Sequence, residues 1–132
     1  MKAKIINKSF IINNVPLEHI SIEENVIVIE LDDVNENRYR MVFKPYQALK
    51  ITTADCFDKD ILLIRESFEL GIYQRHILEV ENSEWIMQLK KALKENDEDA
   101  SFMKESRHFI VDLRDNILEI SAVDFELSEI KD

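Results

Sequence analysis

A single glycine, Gly71, in 132 residues is the tightest constraint on how this chain can fold. Glycine enters left-handed backbone at little steric cost, so a chain with only one must close its tight turns with Asn or Asp, or use longer loops. Candidate turns are plentiful. Asn13-Asn14, Glu23-Glu24-Asn25, Asp32 through Asn37 and Arg114-Asp115-Asn116 each interrupt an apolar run, and runs separated by short polar breaks read as antiparallel hairpins. The same scarcity excludes whole function classes, because the phosphate-cradling loop and the dinucleotide fingerprint both need several glycines.

Between these turns the apolar period is two. Val26 to Leu31 is a β-branched run, and Arg38 to Phe43 alternates Tyr39, Met41 and Phe43 against Arg38 and Arg40, the pattern of a hairpin with one buried face. Ala48 to Thr53 is expected to extend again, with Pro45 marking a bend before it. Lys4 to Ile12 and His19 to Ile22 read as shorter strands, and Arg75 to Val80 as another. Ile61-Leu62-Leu63-Ile64 fits either a buried strand or a helical turn, and a strand is preferred. Near the end, Phe109, Val111 and Leu113 alternate on one strand and Leu118, Ile120 and Ala122 on the next. If those six face the core, His108, Asp112, Glu119 and Ser121 share the outer face.

One segment has the helical period instead. Across Ser83 to Lys94, the residues Trp85, Ile86, Leu89, Ala92 and Leu93 make one apolar stripe, with Ser83 or Asn82 as N-cap. Glu84 near its start and Lys90, Lys91 and Lys94 near its end suit the helix dipole. The polar run Glu95-Asn96-Asp97-Glu98-Asp99 that follows is expected to be a solvated loop or a frayed helix end. These elements predict one α+β domain over residues 1 to 132: a twisted antiparallel sheet of six to nine strands with one principal helix, 83 to 94, packed on it.

Charge is distributed unevenly. The formal net charge is −10, and Glu95 to Asp132 carries −8 of it. The opposite sign is needed to displace counterions from nucleic acid or to bind anionic lipid, so neither is an expected partner. No run of about eighteen apolar residues suggests a transmembrane helix. A lone Cys56 cannot form an internal disulfide, and the first residues lack the apolar segment of a signal peptide, so a cytoplasmic setting is expected.

Candidate chemistry is sparse. His19, His76 and His108 fall in no metal-ligand spacing, and one cysteine cannot build a thiolate zinc site. No cofactor or metal is therefore expected. Cys56 sits among Asp55 and Asp58, which disfavour its thiolate, and Ser67 lacks the glycines of a nucleophile elbow. His108 and Glu119 can lie close on adjacent strands, as a charge-assisted pair or as a site.

The residues Asn82-Ser83-Glu84-Trp85-Ile86, then His108-Phe109, then Asp115, Glu119, Ala122 and Phe125-Glu126 resemble a family of small, largely uncharacterised bacterial proteins with an S-x-W…H-[FY]…D-x3-E-x2-A signature. The resemblance covers residues 76 to 126. It implies a bacterial cytoplasmic protein and suggests kinship with immunity proteins that cover the basic active site of a toxin. It supplies no catalytic residues.

The reading that follows is a non-enzymatic binding protein with an acidic C-terminal surface, engaging a basic partner such as a toxin. Glu95, Asp97, Glu98 and Asp99 would steer the partner, and Asp112, Glu119, Asp124 and Glu126 would contact it. A small hydrolase or metal-dependent enzyme using His108 with nearby carboxylates is the rival. A self-assembling structural module is the third reading, and homo-oligomers fit either binding role.

Overall fold

The computed structural model describes residues 2 to 131, so Asp132, counted in the acidic tail, lies outside the described residues. Strands β1 (Lys2–Ile5), β2 (His19–Glu23), β3 (Val26–Asp32) and β4 (Arg38–Thr53) come first. The short β5 (Phe68–Glu69) and β6 (Ile72–Tyr73) and then β7 (Ile77–Glu81) precede helix α1 (Glu84–Asn96), and β8 (Arg107–Asp112) and β9 (Asn116–Glu129) close the chain. Seven strands form one sheet in the order β1-β7-β8-β9-β4-β3-β2, and β5 and β6 form a separate ribbon. Every pairing is antiparallel. The fold is α+β with the sheet dominant.

The turns solve the glycine shortage in an unexpected way. Asn and Asp do mark them, but mainly as acceptors: Asp33 Oδ1 takes the amides of Asn35 and Asn37, Asn13 Oδ1 that of Val15, and Asp112 Oδ1 that of Arg114. The left-handed positions go instead to Glu24, Glu36 and Arg114, with Leu17, Leu70 and Asn82. Each such non-glycine residue costs about 1 kcal/mol or more, so the flanking ladders must hold the turns closed.

The long strands β4 and β9 run side by side and organise the rest. Inward-facing residues on β4 are Tyr39, Met41 and Phe43, then Tyr46 and Leu49; on β9 they are Leu118, Ile120 and Ala122, then Phe125 and Leu127. Both strands skip one alternation between the paired positions Phe43/Phe125 and Tyr46/Ala122. The sheet turns there, and side chains from both halves meet in one core. Phe109 of β8 lies 5.2 Å from Phe43 and 5.7 Å from Phe125 between ring centroids. Pro45 thus marks a change of inward face and does not end a strand. Its missing N–H is accommodated because the β4–β9 register skips it: Lys44 pairs with Asp124 and Tyr46 with Ala122, and Pro45 pairs with no residue of β9.

Two expectations fail in the first half of the chain. Lys4 to Ile12 is a strand only to Ile5; Phe10 and Ile12 are buried in irregular backbone, where Ile12 makes isolated bridges to Asp33 and Arg75. Ile61 to Ile64 is not a strand, because 3₁₀ turns at Lys59–Ile61 and Arg65–Ser67 flank it. Leu62 is buried there and joins Leu78, Val80, Ile110 and Ile117 in a second apolar cluster, with Phe57, Ile61, Ile64 and Tyr73 around it. Residues 54 to 73 therefore cover the back of β7, β8 and the first part of β9.

Helix α1 begins as expected, with Ser83 Oγ accepting the Ile86 amide. Its stripe is less used than its sequence suggests. Ile86 alone is fully buried, Trp85, Leu89 and Leu93 are half-buried, and Ala92 is exposed. Among the strands α1 packs mainly on β8, where the Trp85 ring of its first turn meets His108, so the expected packing of the whole helix on the sheet is met only in part.

Candidate functional site

The face of β8 and β9 opposite the main core is a second interior. Phe109 and Val111 point into the main core, which sends His108, Ile110 and Asp112 to the back, where Ile117, Glu119 and Ser121 of β9 join them. The expectation that His108, Asp112, Glu119 and Ser121 form an outer face is corrected: His108 is 2% exposed, Asp112 4% and Ser121 0%. The cause is visible in β8 itself. Three consecutive apolar residues, Phe109-Ile110-Val111, suit a strand buried on both faces.

Polar groups in such an interior must find partners, and they form a chain. Ser83 Oγ lies 2.7 Å from His108 Nδ1, and His108 Nε2 lies 2.9 Å from Glu119 Oε1. Lys50 Nζ is 3.8 Å from Glu119 Oε2 and 4.2 Å from the centre of the Trp85 ring. That ring meets the His108 imidazole edge-on at 4.9 Å. The hydrogen bond from His108, aided by the charge of Lys50, holds the Glu119 carboxyl below its ordinary range against the opposing effect of burial. An ionised carboxylate only accepts, so His108 donates from Nε2. With the imidazole neutral, Nδ1 accepts the Ser83 hydroxyl proton, and Ser83 Oγ in turn accepts the amide of Ile86. Nearby, Gln47 Oε1, at the bulge in β4, accepts from both Ser106 and Ser121 at 2.9 Å.

Asp112 anchors a second network. Tyr73 Oη donates to its Oδ2 at 2.9 Å, the Arg114 amide to its Oδ1 at 2.8 Å, and Arg75 Nε stands 3.4 Å away. Burial, reinforced by the Asp112 charge, pushes the Tyr73 phenol well above its ordinary range. Both ends of this network are structural: it ties residues 73 to 75 to the turn between β8 and β9.

The eight predicted binding residues, four steering and four contacting, therefore separate into two groups. Asp112 is buried and Glu119 half-buried, and both are held by internal partners, which takes their charges out of a freely exposed contact surface. Glu95, at the end of α1, and Asp97, Glu98 and Asp99 beyond it are exposed, as are Asp124 and Glu126 on the last part of β9. None of these six forms an ion pair among the described residues. Asp124 and Glu126 lie on the sheet face away from Phe125 and Leu127, beside Lys44 and Val42 of β4.

The metal-dependent form of the rival reading finds little room at His108. Both ring nitrogens are engaged, so a metal would have to displace Ser83 or Glu119. Among the described residues, no group of three or more His, Cys, Asp or Glu is placed to hold a metal ion, and no helix is long and apolar enough to cross a membrane. Sequence reasoning assigned Ser83 only its capping role and missed its bond to His108. Comparison with protein-family models, with curated proteins and with solved structures returned no match.

Proposed function

We propose that this protein binds a basic protein partner through its exposed carboxylates, in the manner of an immunity protein that covers a toxin's basic site. The observation that carries this reading is the contrast in pairing: Glu95, Asp97, Glu98, Asp99, Asp124 and Glu126 are exposed and free of internal ion pairs, in a chain of net charge −10. Unpaired surface carboxylates project a long-range field, which raises the rate of encounter with a cationic partner more than it raises affinity. Glu95, Asp97, Glu98 and Asp99 act as the steering group. Asp124 and Glu126 lie on a rigid strand whose other face is anchored in the core, a backing suited to direct contact. An exposed, unpaired Cys56 fits a reducing, cytoplasmic setting.

The test is stopped-flow association with a basic protein partner, sought among the products of the genes flanking this chain's own. Replacing Asp97, Glu98 and Asp99 by Lys should slow association by about 10-fold or more at low salt, with the difference shrinking as salt is added. An association rate unchanged in that variant at low salt contradicts the reading.

A further inference from the structure

The chain Glu119–His108–Ser83 is arranged as a base-activated serine, and this is independent of the acidic surface. A nucleophile of this kind needs a base within hydrogen-bond reach and a third group that orients the base. Ser83 Oγ is 2.7 Å from His108 Nδ1, and Glu119 holds the other ring nitrogen at 2.9 Å. Either imidazole nitrogen can serve as base, provided that the acid fixes the tautomer from the opposite side. The local backbone matches as well. Strand β7 ends at Glu81, Asn82 takes the left-handed turn at φ 52°, and Ser83 follows at the start of α1. Asn82 thus occupies a position where glycine is the usual solution, which is why the absence of glycine does not exclude a sharp strand-to-helix turn at this serine. The amides of Glu84 and Trp85 belong to the first helical turn, where backbone donors lack intrahelical acceptors. A groove of about 340 Å³ is lined by Ser83 and His108, with Val80, Ile86 and Met87 as apolar wall and Lys90 at its side.

We propose that Ser83, His108 and Glu119 form an acyl-transfer site for small esters, with Ser83 as nucleophile, His108 as base and Glu119 as the positioning residue. In the first step the Ser83 hydroxyl proton passes to His108 Nδ1 as Oγ bonds to the ester carbonyl carbon. The ester C–O bond then breaks, the departing alcohol takes the proton from Nδ1, and an acyl-serine remains. Water attacks that acyl carbon and gives its proton to Nδ1. The proton returns to Ser83 Oγ as the carboxylic acid leaves. As Oγ bonds to carbon the C=O π pair moves onto the carbonyl oxygen, and the positive end of the α1 dipole favours the negative charge that develops there, while the Ile86 amide, which donates to Oγ, holds the serine in place.

The intact protein treated with a fluorophosphonate, whose fluoride Oγ would displace from phosphorus, should gain one adduct, located at Ser83 by peptide mass spectrometry. Ser83→Asn keeps a capping acceptor for α1 and should lose the adduct while circular dichroism stays that of the native fold. Glu119→Gln should slow labelling by about 10²-fold and move the midpoint of its pH profile to lower pH, a shift that a purely structural role for Glu119 would not produce. Absence of a Ser83 adduct on the folded wild-type protein overturns the proposal, and so does a labelling rate and pH profile that Glu119→Gln leaves unchanged.

Discussion

In the half of the sheet built from β1, β7, β8 and the first part of β9, residues 54 to 73 and the first turn of α1 cover the back face. Two of its carboxylates, Asp112 and Glu119, are held by Tyr73, Arg75, His108 and Lys50. In the half built from β2, β3, the first part of β4 and the last part of β9, only the inner face is buried. There Val28 and Val42 are half-buried and Asp124 and Glu126 stand exposed. The two halves share one strand pair and one main core, yet Asp112 and Glu119 in the one and Asp124 and Glu126 in the other do opposite work, while Asp32 and Glu30 on β3 are paired with Arg38 and Arg40. A buried carboxylate fixes neighbouring segments, whereas an exposed one leaves its charge available to a partner.

The largest expected effect comes from breaking what the halves have in common. Phe109→Ala removes the ring that touches both Phe43 and Phe125 and should cost about 3–5 kcal/mol, read as a shifted midpoint in urea unfolding. Next, Asp112→Ala leaves the Tyr73 hydroxyl and Arg75 beside an empty acceptor, and should cost about 2–3 kcal/mol by the same measurement. A cost near that of an average surface substitution would mean that the covered half is looser than its hydrogen bonds imply.

Acid should distinguish the halves too. Burial holds the His76 imidazole below its ordinary value of 6.5. As pH falls through about 6.5 the unfolded chain takes up a proton that the folded chain refuses, so stability declines from there downward. Glu119 adds a second loss at lower pH. Its carboxyl titrates below the ordinary 4.5 in the folded state, so its stabilisation is complete above that value and vanishes as pH falls through the lower one. His76→Gln should flatten the stability profile below about pH 6.5, and Glu119→Gln should flatten the part below about 4.5. An unaltered slope in either variant removes that group from the account.

The contrast between the halves was only half legible in the chain. Helix α1 could be placed to within two residues because Ser83 caps it and Trp85, Ile86, Leu89 and Leu93 repeat at helical spacing. The closing hairpin was equally plain from its alternation. What the alternation concealed was a second buried face, although Ile110 and Ile117 sit on it beside His108, Asp112 and Glu119. The cover for that face, residues 54 to 73, is held by contacts far apart in sequence, and its Ile61-Leu62-Leu63-Ile64 run has no period to reveal that only Leu62 is fully buried. The pairing of β4 with β9 spans most of the chain, and no local pattern encodes it. The bond from Ser83 to His108 follows from the pairing of β7 with β8, which sets His108 opposite Val80, so a serine legible as a cap could not be read as anything more.

Urea unfolding of two double variants tests the division between the halves most directly. Asp124→Lys with Glu126→Lys reverses two exposed charges and should change stability by no more than about 0.5 kcal/mol. Asp112→Asn with Glu119→Gln keeps the side-chain shapes but removes two internally paired charges, and should cost about 2–4 kcal/mol. Equal losses in the two variants, or a larger loss from the exposed pair, would contradict the assignment of a structural role to Asp112 and Glu119 and an unpaired one to Asp124 and Glu126.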